Sequence, residues 1–297
     1  MPLFVRPTPL AVPAYNDGSR HFDRSAMNTI LQLCVLGSGS SGNSSVLKLG
    51  KTAMLIDAGF GPRTMAKRLG EAKLELNQID AVCLTHLDRD HFQPALIRSL
   101  IEHRIRVVIH RWHLQAFEQT HGAQDLIHAK LLDVFDGHLF EPIVGLRATP
   151  FPLPHDDTGT TGFLFESDVG RVGYATDLGQ VPSELIDRFA GVNLLAIESN
   201  YDPHMQLRSN RPMFLKRRIM SDKGHLANEE SFDAVRRIVD LGRGGNPQKI
   251  VLLHRSIQCN CPYVVRQVFN QDPRIGPRVV LTEQHCSTRW LSVVSPS

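Results

Sequence analysis

The run THLDRDH places His86, Asp88, Asp90 and His91 within six residues, directly after the apolar stretch AVCL. Imidazole nitrogen and carboxylate oxygen are the donors of zinc, manganese and iron sites. A loop leaving a strand end can turn several such side chains toward one point, whereas a regular helix or strand would scatter them. A solvated polar loop is the ordinary explanation of an isolated His–Asp pair. Four donors packed this densely behind a buried strand favour a metal site instead. Three more candidates end hydrophobic runs: His155 in FPLPHDD, Asp177 in VGYATDLG and His254 in IVLLHRS. Seven donors are the number that two metals bridged by one carboxylate would use.

Those donors need elements to carry them. LQLCVLG, SSVLKLG and TAMLIDAG read as short strands, and a helix begins over 62–69. A strand over 81–84, a helix over 94–103, a strand over 106–109 and a helix within 111–120 come next. The stretch 144–176 is strand-rich. Helix 182–189, strand 193–197, helices near 212–220 and 228–240, strand 249–253 and helix 262–270 complete the pattern. Strands in pairs punctuated by helices predict two sheets covered by helices rather than one continuous βαβ series.

Composition bounds the class. The 297 residues are 42% hydrophobic and 21% charged, which excludes collagen-like, coiled-coil and wholly disordered chains. No stretch approaches the roughly 18 consecutive apolar residues of a membrane span. A formal net charge of +3 is too small to diagnose a nucleic-acid partner. Five cysteines without paired spacing fit a reduced, cytoplasmic compartment. Residues 1–26, with four prolines and no periodicity, read as a disordered extension, and 27–297 as one domain.

A second motif points elsewhere. Gly37, Gly39 and Gly42 match GxGxxG after a strand, with Asp57 where a ribose-binding acid would stand. That fingerprint requires a helix N-terminus aimed at a pyrophosphate. The residues after Gly42 are β-like, and Asn43 occupies the position of a phosphate-binding lysine. A strand-to-strand turn, with no NAD or nucleotide cofactor, is the better reading.

The ligand pattern, together with GSGSSGNSSVL, LIDAG, LAIESNYD and LKRRIMSDKGHLAN, resembles the metallo-β-lactamase superfamily. Its signature is HxHxDH followed by spaced His, Asp and His ligands. The likeness is closest to the YycJ/WalJ-type exonuclease-like branch and covers about residues 30 to 260. It implies a four-layer αββα sandwich of the α/β class. It puts His86, Asp88 and His155 on one divalent metal, Asp90, His91 and His254 on a second, and Asp177 between them. Asp57 matches a residue that orients the site from behind the ligands. Glu198 and His225 match a pair that assists proton transfer to a leaving oxygen in ribonuclease-Z-like phosphodiesterases. Asp88 departs from the pattern by standing at the second histidine. A carboxylate is the harder ligand, so manganese or iron joins zinc as a candidate.

The resemblance therefore implies a dinuclear metal-dependent hydrolase, foremost a nuclease or phosphodiesterase, in which a metal-bridging hydroxide attacks phosphorus. The alternatives are a small-ester, lactone or thioester hydrolase on the same centre, and a degenerate nucleic-acid-binding or regulatory member without turnover. Between Glu198 and His225 lie six Lys/Arg and one Asp in the run RSNRPMFLKRRIMSDKG. Lys216 and Arg217 are the expected contacts of that stretch to a phosphodiester strand. His110, His113, His121, His128 and His138 fit no motif position and are expected at the surface. Cys259 and Cys261 with His254 form too weak a pattern for a separate zinc site.

Overall fold

The computed structural model describes residues 29–242 and 247–293; the segment 1–26 lies outside the described residues. Six strands follow one another through the first half of the chain: β1 (Leu31–Gly37), β2 (Ser44–Leu49), β3 (Thr52–Ile56), β4 (Ala81–Cys83), β5 (Arg106–His110) and β6 (Leu132–Phe135). A second run comprises β7 (Phe140–Ile143), β8 (Leu146–Leu153), β9 (Thr160–Ser167), β10 (Gly170–Ala175), β11 (Leu194–Glu198), β12 (Lys249–Leu253) and β13 (Val279–Leu281). The last strand, β14 (Leu291–Ser292), returns to pair with β1. The two sheets have the orders β14-β1-β2-β3-β4-β5-β6 and β13-β12-β11-β10-β9-β8-β7. Each sheet is antiparallel over one part and parallel over another. Parallel pairing runs from β3 to β6 in the first and from β10 to β13 in the second.

Alternation along the strands explains why both faces are apolar. On β3, Met54 and Ile56 enter the core between the sheets, while Ala53 and Leu55 face the helical layer. The inter-sheet core takes Leu33, Val35, Phe163, Phe165, Tyr174 and Leu253, all buried. Strands sandwiched in this way read as unbroken apolar runs, because neither face meets water. Helices α1 (Pro62–Glu71), α2 (Ile97–Glu102), α3 (Leu114–Glu118) and α4 (Ala123–His128) accompany the first sheet. The second half carries α5 (Ser183–Phe189), α6 (Pro203–Arg208), α7 (Met213–Ile219), α8 (Asn228–Leu241) and α9 (Pro262–Phe269). The layering is the αββα sandwich expected from the sequence.

Details differ from expectation. The helix expected over 94–103 opens with a 3-10 turn at Pro94–Leu96, with the proline at its first position, and continues as α2. The one expected within 111–120 likewise splits into a 3-10 turn, Arg111–His113, and the short α3. Strands β6, β7, β13 and β14 and helices α4 and α6 are additional to the expected elements. They are short, and two to six residues give too few periods to register. The glycine-rich segment is the β1–β2 connection of an antiparallel pair, so a strand and not a helix follows it.

Candidate metal centre

Site residues gather where parallel strands end. Asp57 follows β3, His86 lies three residues beyond β4, Asp177 two beyond β10, Glu198 closes β11 and His254 follows β12. Ligand sites of α/β folds lie at such carboxyl ends. Asp57, Asp177 and His254 all have left-handed backbones, with φ of 62°, 52° and 53°. Non-glycine residues occupy that region at a cost of about 1–3 kcal/mol, which the surrounding structure must over-determine. Here the φ reversal ends each strand abruptly and turns its last side chain toward a common centre.

The 85–91 loop is held by backbone bonds on three sides. Asn43 N–H donates to Asp90 O at 2.7 Å, Ala58 N–H to His91 O at 2.7 Å, and Thr161 N–H to Thr85 O at 2.9 Å. Gly59 makes the fit possible, since a Cβ there would stand 1.8 Å from Asp90 O. Inside this frame the imidazoles are anchored from behind. His91 Nδ1 lies 2.8 Å from Asp57 Oδ2, which directs Nε2 to Asp177 Oδ2 at 2.7 Å. His155 Nδ1 lies 3.0 Å from Gly224 O. His86 Nδ1 lies 2.9 Å from Thr85 Oγ1 and 3.2 Å from Thr160 Oγ1. Thr85 Oγ1 donates its single proton to Asp57, so it accepts from His86. His86 Nε2 is then left as a buried lone pair with no hydrogen-bond partner.

Four overlapping groups have all donor atoms within 4.8 Å of one another. They are His86–Asp88–His155, Asp90–His91–His254, His86–His91–Asp177, and Asp177–Glu198–His225–His254. All seven ligand candidates are thus brought together, with Asp177 between the two trios. Asp57, Asp177 and Glu198 are buried, and histidines are their ion-pair partners in place of lysine or arginine. Buried anions need compensating charge. Burial disfavours the cationic form of His91 and His254, yet the Asp177 carboxylate beside them carries both pKa values well above the imidazole range. Burial would raise Asp177, but those two histidines hold it well below the usual carboxylate range. His86 is pushed well down, chiefly by burial and then by His91, and is neutral. Converging carboxylates, an orphaned imidazole nitrogen and anchored ring tautomers fit divalent cations, which would replace the protons on the histidines.

Glu198 and His225 form the expected pair. Glu198 Oε2 accepts from Leu178 N–H at 3.0 Å and Leu226 N–H at 3.3 Å, and Oε1 lies 2.8 Å from His225 Nδ1. His225 lines a cavity of about 300 Å³ together with Asp88, Asp90, His155, Asp177 and His254.

Lys216 and Arg217 do not reach that cavity. Lys216 is buried, and its Nζ donates to Leu207 O at 2.7 Å, tying α7 to α6; Arg217 is exposed outside the cavity lining. The arginines that face the cavity are Arg211 and Arg218. His113 also departs from expectation: it is 3% exposed, and burial, with His110 nearby, pushes its pKa down to about 4. Cys259 and Cys261 join no metal-holding group among the described residues. The supporting polar residues Ser38, Asn43, Thr85, Thr160 and Asn200 escaped the sequence reading. Ser38 Oγ accepts from His254 N–H at 2.7 Å, and Asn43 Nδ2 stands 2.9 Å from His91 Nε2. For Ser38 and Asn43 the one signal was GSGSSGN itself, whose serine and asparagine brace two ligands.

A sandwich of two such sheets with donors at the strand ends defines the metallo-β-lactamase fold, and the beta-lactamase superfamily domain matches residues 52–254. The chain belongs to that superfamily. It is similar to the exodeoxyribonuclease WalJ of Streptococcus pneumoniae, at 28% identity over 76% of this chain and 82% of the relative. It is also similar to the exodeoxyribonuclease YycJ of Bacillus anthracis, at 25% identity over 81% and 88%. The crystal structure of the metallo-β-lactamase-fold protein YhfI from Bacillus subtilis superposes with a TM-score of 0.64 at 14% identity, covering 88% of this chain and 99% of that one. No described helix is long and apolar enough to cross a membrane.

Proposed function

We propose that this metal-dependent hydrolase is a phosphodiesterase that degrades nucleic acid from an end, with DNA as the first candidate from the names of its relatives. The observation that carries the reading is the Glu198–His225 pair, whose histidine lines the same cavity as Asp88, Asp90, His155, Asp177 and His254. His86, Asp88 and His155 would hold one cation, Asp90, His91 and His254 another, with Asp177 shared. Bound there, two divalent ions supply an acidified water and neutralise charge on the phosphoryl group.

The chain's own residues do the rest. Asp57 fixes the His91 tautomer so that Nε2 faces the centre. Burial raises Glu198, but His225, through charge and hydrogen bond, brings its pKa below the ordinary value, so it remains a carboxylate. That carboxylate holds a proton on His225 Nδ1 and leaves the other ring nitrogen to deliver one to the departing oxygen. A thioester, whose thiolate departs without protonation, has less need of such a donor.

The test uses metal-loaded protein with linear and circular single-stranded DNA and bis(p-nitrophenyl) phosphate. Linear DNA should be degraded, circular DNA of the same sequence spared, and the small diester turned over. His225→Ala should lower kcat on DNA by about 10²–10⁴-fold while both ions stay bound. The nitrophenolate leaving group needs no proton, so its loss should be smaller. Hydrolysis of lactones or thioesters in place of diesters would remove the reading.

A further inference from the structure

Two arginines face the cavity, and their surroundings differ. Arg218 is paired with Asp156 through both Nε, at 3.2 Å, and a terminal nitrogen. Burial favours a raised Asp156 pKa, but the Arg218 guanidinium holds it below the usual carboxylate range. Its charge is already met. Arg211, in the turn between α6 and α7, has only neutral side-chain partners among the described residues. Nε donates to Gln258 Oε1 at 2.9 Å, one terminal nitrogen to Gln206 Oε1 at 3.1 Å, and the other lies 3.4 Å from Ser256 Oγ.

Three acceptors from two segments therefore fix the guanidinium plane without neutralising it. Gln206 is 0% exposed, and its Nε2 is buried without a partner. With the amide turned over, that NH2 would face the guanidinium, so the cation sets its orientation. The Lys216 bond to Leu207 O secures the same turn from behind. A pre-ordered, unpaired guanidinium in the cavity that holds the metal candidates is suited to a planar oxyanion.

We propose that Arg211 anchors a second phosphate of the substrate, one linkage away from the phosphate at the metal centre. This rests on the phosphodiesterase reading and makes its preferred substrate one that carries at least two phosphates. A cavity of about 300 Å³ lies at the small end of ligand pockets, enough for a nucleotide-sized unit between two such anchors. Recognition would come from the spacing of two charges, as expected for a strand terminus drawn into a small cavity.

The experiment compares two trinucleotides on the metal-loaded protein. One has natural linkages; the other has a neutral methylphosphonate at the linkage next to the cleaved one. The natural substrate should be preferred in kcat/KM by roughly 10–100-fold, the range of hydrogen bonds to charged groups. Arg211→Ala should collapse that preference toward unity, and Arg211→Lys, which keeps the charge and loses the fork, should restore part of it. For single-stranded oligonucleotide binding, Arg211→Ala should reduce the slope of log K against log salt by about 0.7. If the wild-type protein cleaves both trinucleotides equally well, the anchor is wrong while the phosphodiesterase reading stands. A preference retained in Arg211→Ala likewise makes Arg211 a brace between loops. Turnover of neither trinucleotide removes both.

Discussion

Asp90, His91 and His254 form short contacts with Asp177 or with one another, whereas Asp88 stands off from His86 and His155. In the first trio, His91 Nε2 lies 2.7 Å from Asp177 Oδ2, His254 Nδ1 3.0 Å from Asp177 Oδ1 and His254 Nε2 3.3 Å from Asp90 Oδ2. In the second, His86 Nε2 and His155 Nε2 approach Asp88 Oδ2 only to 3.8 and 3.9 Å. Asp88 has a side chain 48% exposed, against 25% for Asp90. One trio is inside the protein and cross-linked by its own hydrogen bonds. The other ends in a carboxylate that water reaches. A buried, pre-ordered ligand set loses little freedom on binding an ion, while an exposed one must order its last ligand. The contrast predicts that an ion in the first trio would be retained more tightly than one in the second.

The largest effect should come from the residue both halves share. Asp177→Ala should lower turnover by about 10³-fold or more, the several kcal/mol that metal ions supply to charge stabilisation. Metal content by elemental analysis should fall in both halves. A variant that keeps two ions per chain would show that the trios are independent, and the comparison would lose its link.

A smaller and one-sided effect is expected from Asp57→Asn. Asp57 touches His91 and Thr85 but none of the residues in the open trio except through Thr85 Oγ1. Burial pushes its carboxyl above the ordinary range, with His91 pulling the other way. Losing the carboxylate frees the His91 ring, which should cost the buried trio about 10–100-fold in metal affinity. Competition with a chromophoric chelator reads this directly. An equal loss in both halves would mean that Asp57 supports the loop as a whole.

How much of this was visible in the sequence depends on what each residue contacts. The seven donors, Asp57, Glu198 and His225 stand next to apolar strands or in motif runs, so type and place were legible together. The αββα layering was legible because both faces of strands such as β3 are buried. Lys216 and Arg211 were not separable by charge. What distinguishes them is that Leu207 O lies within reach of Lys216, a contact created only when α7 packs on α6. The buried His113 was missed for a similar reason, since nothing local distinguishes it from the half-buried His110 beside it. Ser38, Asn43 and Thr160 act across long sequence separations, and serine, asparagine and threonine are ordinary turn or strand residues until the ligand they brace is in place.

The smallest effect should be Asp88→His. Asp88 is the ligand candidate with most access to water, so its neighbours can accommodate a larger ring without opening the core. Burial raises its carboxyl pKa, while His155 and then His91 act to lower it. An imidazole in its place adds a softer donor and removes a negative charge. The open half should therefore gain in its preference for zinc over manganese, and turnover should change by no more than several-fold. The buried half should keep its ion, because the side-chain contacts of Asp90, His91 and His254 run to one another and to Asn43, Asp57, Thr85, Asp177, Glu198 and Asn200, away from Asp88. Metal titrations with zinc and manganese, followed by exchange rates for each ion, separate the halves. Asp90→His is the matched control: it lies within the 3.3 Å contact to His254, and it should cost the buried ion. Should the two substitutions prove interchangeable, burial is not what divides the site, and the difference between a retained and an exchanging metal falls with it.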